Sequence, residues 1–126
     1  MSNSLFINGV WLQGSGTTFV KTNPVDNQTV WSGAEATASD VEKACQAART
    51  AFPAWARLPF AERVAIVEKF AALLEENKKH LAEVISQETS KPFWETLTEV
   101  QSMIGKVAIS IRAYHQRTGE SSTEMA

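Results

Sequence analysis

The hydrophobic pattern of this chain changes period near Thr37. Before that point, short runs of alternating and β-branched residues are punctuated by glycine, asparagine and proline. After it, apolar residues recur at intervals of three and four, the spacing of one helix face. Leu5, Ile7, Val10 and Leu12 flank Asn8-Gly9. That dipeptide suits the positive backbone angles of a two-residue turn, so Leu5 to Ile7 and Val10 to Leu12 should form a hairpin. Gln13-Gly14-Ser15-Gly16 reads as a flexible loop and Thr18 to Thr22 as a strand. Pro24 holds Asn23 extended and ends pairing there. Val25-Asp26-Asn27-Gln28 turns the chain with Asn27 left-handed, and Thr29 to Ala34 returns as a further strand.

The helical part opens with capping-box spacing, Thr37 with Asp40 or Ser39 with Glu42, so a helix begins near Ala38. Val41, Ala44, Cys45, Ala48, Phe52 and Trp55 form its apolar face until Pro53 and Pro59 interrupt. Pro59 suits the first position of a second helix, whose stripe runs through Ile66, Phe70, Leu73, Leu74, Leu81, Val84 and Ile85. The pattern allows this helix to run unbroken or to bend near Asn77. Its charges lie mostly off the stripe, with helical ion pairs such as Glu75 to Lys79 expected. Pro92 ends it. A third helix follows with heptad-like spacing at Phe93, Leu97, Val100, Ile104, Val107, Ile111 and Tyr114, and Gly119 as its C-terminal cap. The fold class is α+β and mainly helical: N-terminal strands and turns over 1-36, then a three-helix segment over 37-120.

Composition narrows the function classes. With 126 residues, 44% hydrophobic, 21% charged and a net charge of -2, the chain is one domain's worth. It has no electrostatic invitation to nucleic acid or an acidic membrane. No run approaches the roughly 18 apolar residues of a membrane span. The single cysteine, Cys45, cannot form an internal disulfide, which fits a reducing, cytoplasmic setting.

Candidate chemistry is sparse. Gly14-x-Gly16 is followed by strand-like residues rather than a helix, so these are turn glycines and not a phosphate loop. Cys45 has only apolar neighbours on its helix face and reads as a buried, inert thiol. His80 sits in a charged, solvated stretch, and His115 in a last helical turn, where positive charge opposes the helix dipole. Glu75-Glu76 lacks the dry concave site that separates carboxylate pKa values. Two distant histidines and one cysteine give no metal-ligand spacing. No catalytic, cofactor-binding or metal-ligating residue is assigned.

The ordered pieces Ile7-Asn8-Gly9-Val10-Trp11, Asn23-Pro24, Asp40-Val41, Ala47-Ala48-Arg49, Phe52-Pro53-Ala54-Trp55, Ala61-Glu62-Arg63, Leu73-Leu74-Glu75 and Glu88-Thr89-Ser90-Lys91-Pro92 together resemble the N-terminal part of the NAD-dependent aldehyde dehydrogenase superfamily. Residues of the third helix, Ile104 to Ile111 and Tyr114 to Glu120, resemble the branch that oxidises a succinylated glutamate semialdehyde in bacterial arginine degradation. The resemblance implies part of an α/β fold. It also implies a full-length enzyme in which a cysteine thiolate adds to the aldehyde, hydride passes to NAD, and a glutamate-activated water hydrolyses the thioester. Those groups fall beyond the matched region, so the chain is expected to be an inactive fragment ending in a truncated linker at 121-126. Its partners would be the remainder of its own polypeptide and further copies of itself, with neither nucleic acid nor membrane involved. Family members usually carry glycine where Ser90 stands, at a left-handed position after a helix. Some hold a structural monovalent cation near the counterparts of Glu88 and Thr22, but a remaining ligand position is missing here, and no metal is expected. The alternative reading is a free-standing helical module that binds a protein through its heptad-like seam.

Overall fold

The structure, a computed structural model, describes residues 4–118. Strands β1 (Leu5–Ile7) and β2 (Val10–Leu12) pair antiparallel, with Leu5 opposite Leu12, Phe6 opposite Trp11 and Ile7 opposite Val10. The turn between them takes Asn8 to φ 52° and Gly9 to φ 78°. Both central residues are thus left-handed, as a hairpin turn matched to the strand twist requires. Phe6 and Trp11 face each other across the pair with ring centroids 5.1 Å apart.

β3 (Thr18–Thr22) and β4 (Thr29–Ala34) make a second antiparallel pair, irregular between Lys21 and Thr22. Their connection is closed by side chains acting on nearby backbone. Asn23 Oδ1 accepts from the Val25 N–H at 2.9 Å, and Asp26 Oδ1 accepts from the Gln28 N–H at 3.0 Å. Asn27 is left-handed at φ 59°, where a short polar side chain is tolerated. Ser4 ties the two sheets together, since its hydroxyl donates to the Ala34 carbonyl at 2.6 Å while its N–H reaches the Leu12 carbonyl.

Helix α1 (Ala38–Arg57) starts from Thr37, with the reciprocal cap completed by Asp40. The helix runs through Pro53, contrary to the interruption expected there. Proline removes one N–H and disfavours an internal helical position, but its φ is itself helical and the turns on either side carry the helix past it. The break comes at Leu58, extended at ψ 137° because Pro59 follows.

The second helical stripe is divided at Asn77 into α2 (Phe60–Glu76) and α3 (Lys78–Thr89), so the described residues hold four helices where three segments are expected from the pattern. The Asn77 side chain donates to the Leu73 carbonyl at 2.8 Å and competes for that acceptor with its own N–H, which bonds it at 3.1 Å. α3 ends in Ser90, left-handed at φ 62°, whose N–H caps the Ser86 carbonyl at 2.8 Å. α4 (Phe93–Arg117) begins after Pro92 and ends at Thr118, whose N–H bonds the Tyr114 carbonyl. The expected cap Gly119 and the segment 121-126 lie outside the described residues.

These elements form two compact units. One holds β1 to β4, α1 and Ile85–Ser90; the other holds Phe60–Val84 and α4. In the first, Ala34 and Asp40 are buried and α1 lies on β1. In the second, α2 packs on α4 around Leu74, Ala82, Thr96 and Val100. Thr96 is buried without penalty because its hydroxyl donates to the Phe93 carbonyl at 3.0 Å.

Candidate functional site

The densest polar arrangement is built on Asp40, a carboxylate only 7% exposed. Its Oδ2 accepts from the Ser15 hydroxyl, from the Ser15 N–H at 3.2 Å, from the Thr37 N–H at 3.0 Å and from the Thr37 hydroxyl at 3.0 Å. The Ser15 hydroxyl, followed by the Thr37 and Ser15 main-chain donors, holds its carboxyl far below the usual carboxylate range despite burial. Lys43 stands 3.7 Å from Oδ1. With its donors all internal and nothing nucleophilic opposite, this cluster is a latch between the 14–16 loop and the start of α1. Local spacing offered Thr37-Asp40 beside Ser39-Glu42, and the structure takes the first, but the bond to Ser15, twenty-five positions away, carries no periodic signal.

The same loop is unsuited to a dinucleotide phosphate. A phosphate cradle needs free N–H groups. Here the Gly14 N–H points to the Ser4 hydroxyl at 3.3 Å, Ser15 to Asp40, and Gly16 to the Glu35 carbonyl at 2.9 Å. A side chain at Gly14 would meet the Ala34 and Glu35 carbonyl oxygens at 2.4 Å, so glycine there allows a close approach of two backbones. The loop presents acceptors and a carboxylate, which repel phosphate. These residues do not fit NAD.

The remaining candidates are scattered. Cys45 is exposed, not buried as its position on the apolar face suggested. β1 covers only part of the α1 stripe, leaving Val41, Phe52 and Trp55 at 54%, 59% and 38% exposure. His80 is exposed on α3. His115 is exposed in the last turn of α4, edge-on to Phe60 at 5.2 Å, and Phe60 stacks on Tyr114 at 3.9 Å. Arg63 lies 5.6 Å from the Phe60 ring. Glu75 pairs with Lys78 at 3.7 Å and Lys79 with Glu83 at 3.9 Å, replacing the expected Glu75 to Lys79 pair. The division at Asn77 separates those two residues into different helices. Glu88 is half-buried near the end of α3, and Thr22 ends β3. Among the described residues no three of His, Cys, Asp and Glu converge to hold a metal, and no described helix is long and apolar enough to cross a membrane.

What these elements do present is apolar surface. Between β1 and α1 runs an open groove lined by Phe6, Ile7, Ala44, Ala47, Ala48 and Ala51. In the other unit Ile66, Phe70 and Trp94 are 51%, 56% and 70% exposed.

Comparison with known proteins gives this scaffold its context. Residues 11–126 match the family model described as the aldehyde dehydrogenase family. The chain is 65% identical over 123 residues to an N-succinylglutamate 5-semialdehyde dehydrogenase from Acinetobacter baylyi, and 66% identical over 123 residues to one from Serratia proteamaculans. Each alignment covers 98% of this chain and 25% of the relative, so the chain spans about a quarter of their length. Among solved structures, a NAD-dependent benzaldehyde dehydrogenase from Corynebacterium glutamicum superposes with a TM-score of 0.83 at 28% identity. That match covers 94% of this chain and 27% of the other.

Proposed function

Because this chain belongs to the aldehyde dehydrogenase family, we propose that it is the N-terminal scaffold of a NAD-dependent enzyme that oxidises N-succinyl-L-glutamate 5-semialdehyde to N-succinylglutamate in arginine catabolism. The observation that carries this reading is identity of about two thirds, across nearly all of the chain, to dehydrogenases named for that substrate. The name of the structural neighbour supports NAD as the oxidant. The role of the residues present is positional. The Asp40 latch fixes the strand pairs against α1, and α2 with α4 forms a packed helical support. The remainder of the polypeptide supplies thiolate, general base and dinucleotide cradle, and covers the apolar faces of α1, α2 and α4. The enzyme works in the cytoplasm as a homo-oligomer.

The test is a graft. These residues replace the matching quarter of the Serratia relative, and the chimera is assayed with the semialdehyde and NAD. Turnover near that of the parent is expected, with none from the isolated chain. A chimera that folds but has lost the reaction would contradict the assignment, and so would turnover by the isolated chain.

A further inference from the structure

Four asparagines lie within the described residues, and the structure places them in very different chemical settings. An asparagine side chain is lost when the N–H nitrogen of the following residue attacks its amide carbon. The reaction needs a nitrogen that carries a proton, is free of other bonds and is uncrowded by a side chain. Asn23 is followed by Pro24, which has no N–H, and its Oδ1 is engaged by Val25. Asn27 is followed by Gln28, whose N–H is held by Asp26 at 3.0 Å. Asn77 is followed by Lys78 at a helix start, and its amide donates back to the Leu73 carbonyl.

Asn8 differs in the nitrogen that follows it. Like Asn27 and Asn77 it is exposed, but it is followed by Gly9, and a Cβ built on Gly9 would meet nothing within 4 Å. Among the described residues no hydrogen bond engages the Gly9 N–H. The left-handed turn does not itself hold the nitrogen against the side chain, but the hairpin is two strands of three residues each. β1 lies on α1 and Ser4 anchors the far end of the pair, but the exposed turn is closed by strands this short, so opening confined to the turn releases Asn8 and Gly9 to other backbone angles.

We propose that Asn8 is a site of spontaneous deamidation, a slow covalent modification of the hairpin turn. The Gly9 nitrogen bonds to the Asn8 side-chain carbon, its proton passes to solvent base, and the bond to Nδ2 breaks to release ammonia. Water then opens the five-membered imide. Cleavage at the side-chain carbonyl leaves aspartate, and cleavage at the main-chain carbonyl leaves isoaspartate. The balance is asparagine plus water giving an acid plus ammonia, with no oxidant or reductant. Aspartate adds a negative charge beside the groove between β1 and α1. Isoaspartate adds a carbon to the backbone, destroys the two-residue turn and uncouples β1 from β2.

The full chain, kept folded at mildly alkaline pH, is followed by peptide mass mapping, isoaspartate quantitation and ammonia release, with a parallel sample in denaturant. Asn8 should convert in the folded sample ahead of Asn23, Asn27 and Asn77, with an acidic shift of a single charge, and Asn8→Asp should remove most of the early ammonia. Conversion at Asn8 in denaturant alone would overturn the proposal, as would another described asparagine converting first or an unchanged ammonia yield from Asn8→Asp.

Discussion

Ser90 carries the clearest residue-scale strain. Its φ of 62° places a Cβ where L-residues are disfavoured, and the position follows a helix end whose last turn is capped by its own N–H. Left-handed backbone costs a non-glycine residue roughly 1 kcal/mol, of which glycine's greater freedom when unfolded returns only part. Ser90→Gly is therefore expected to stabilise the chain by up to about 1 kcal/mol, read as a higher denaturant midpoint at unchanged slope. Asp40 gives a pH dependence of definite sign. Its folded carboxyl titrates well below the reference value of 3.8 because Ser15 and Thr37 donate to the ionised form. The stability that Asp40 contributes is complete above that reference and is lost as pH falls from there toward the folded value. Thermal midpoints should drop below about pH 4. Asp40→Asn should melt lower at neutral pH and lose part of this acid dependence; an identical acid profile in the variant would show that other carboxylates govern it. Of this latch, the Thr37 half was readable from a three-residue spacing. The Ser15 half was not, because a loop serine finds its partner only through the fold.

Local signals decide the elements far better than they decide burial. Pro24 restricts the residue before it by sterics, while Asn8-Gly9 and Asn27 tolerate the left-handed angles their turns need, and the four strands fall on either side of those turns. The same holds for the start of α1 and the turn at Ser90. Pro53 was misleading because one missing N–H is a cost a helix can absorb when its neighbours remain paired, whereas Pro59 acts on the residue before it and does end α1. At Asn77 the alternatives were even in the sequence, and the structure favours the break. There the ladder resumes with the Leu81 N–H on the Asn77 carbonyl, while the side chain takes a second bond to Leu73. Asn77→Ala removes that competition and substitutes the best helix former, so it should raise helicity across 76–79 and stability by roughly 0.5 kcal/mol. Circular dichroism and equilibrium unfolding would check it. No gain in helicity would mean that packing of α2 and α4, rather than the asparagine, sets the break.

At the scale of the whole molecule, burial depends on what covers a face, and that is why an apolar stripe could be read from the sequence while the exposure of Cys45 could not. Val41, Phe52, Ile66, Phe70 and Trp94 all keep large apolar area in water, although each lies on or beside a stripe patterned for contact. Removing such area from water is worth about 25 cal/mol per Å2, so neighbouring exposed side chains favour any partner that covers them together. In the proposed enzyme the partner is the rest of the polypeptide. For this chain alone the available partner is another copy. Sedimentation over a range of concentrations should therefore show reversible association, and the protein should carry net negative charge too small to oppose it at moderate salt. Phe52→Lys places a charge on the uncovered face of α1 without touching the α2 and α4 core. It should shift the equilibrium toward monomer while leaving the unfolding midpoint of the dilute protein nearly unchanged. A wild-type chain that stays monomeric at high concentration would mean that these faces are too small or too interrupted by polar residues to pair. An association undisturbed by Phe52→Lys would move the contact to α2, α4 or the strand edges, where Phe70→Lys is the corresponding probe.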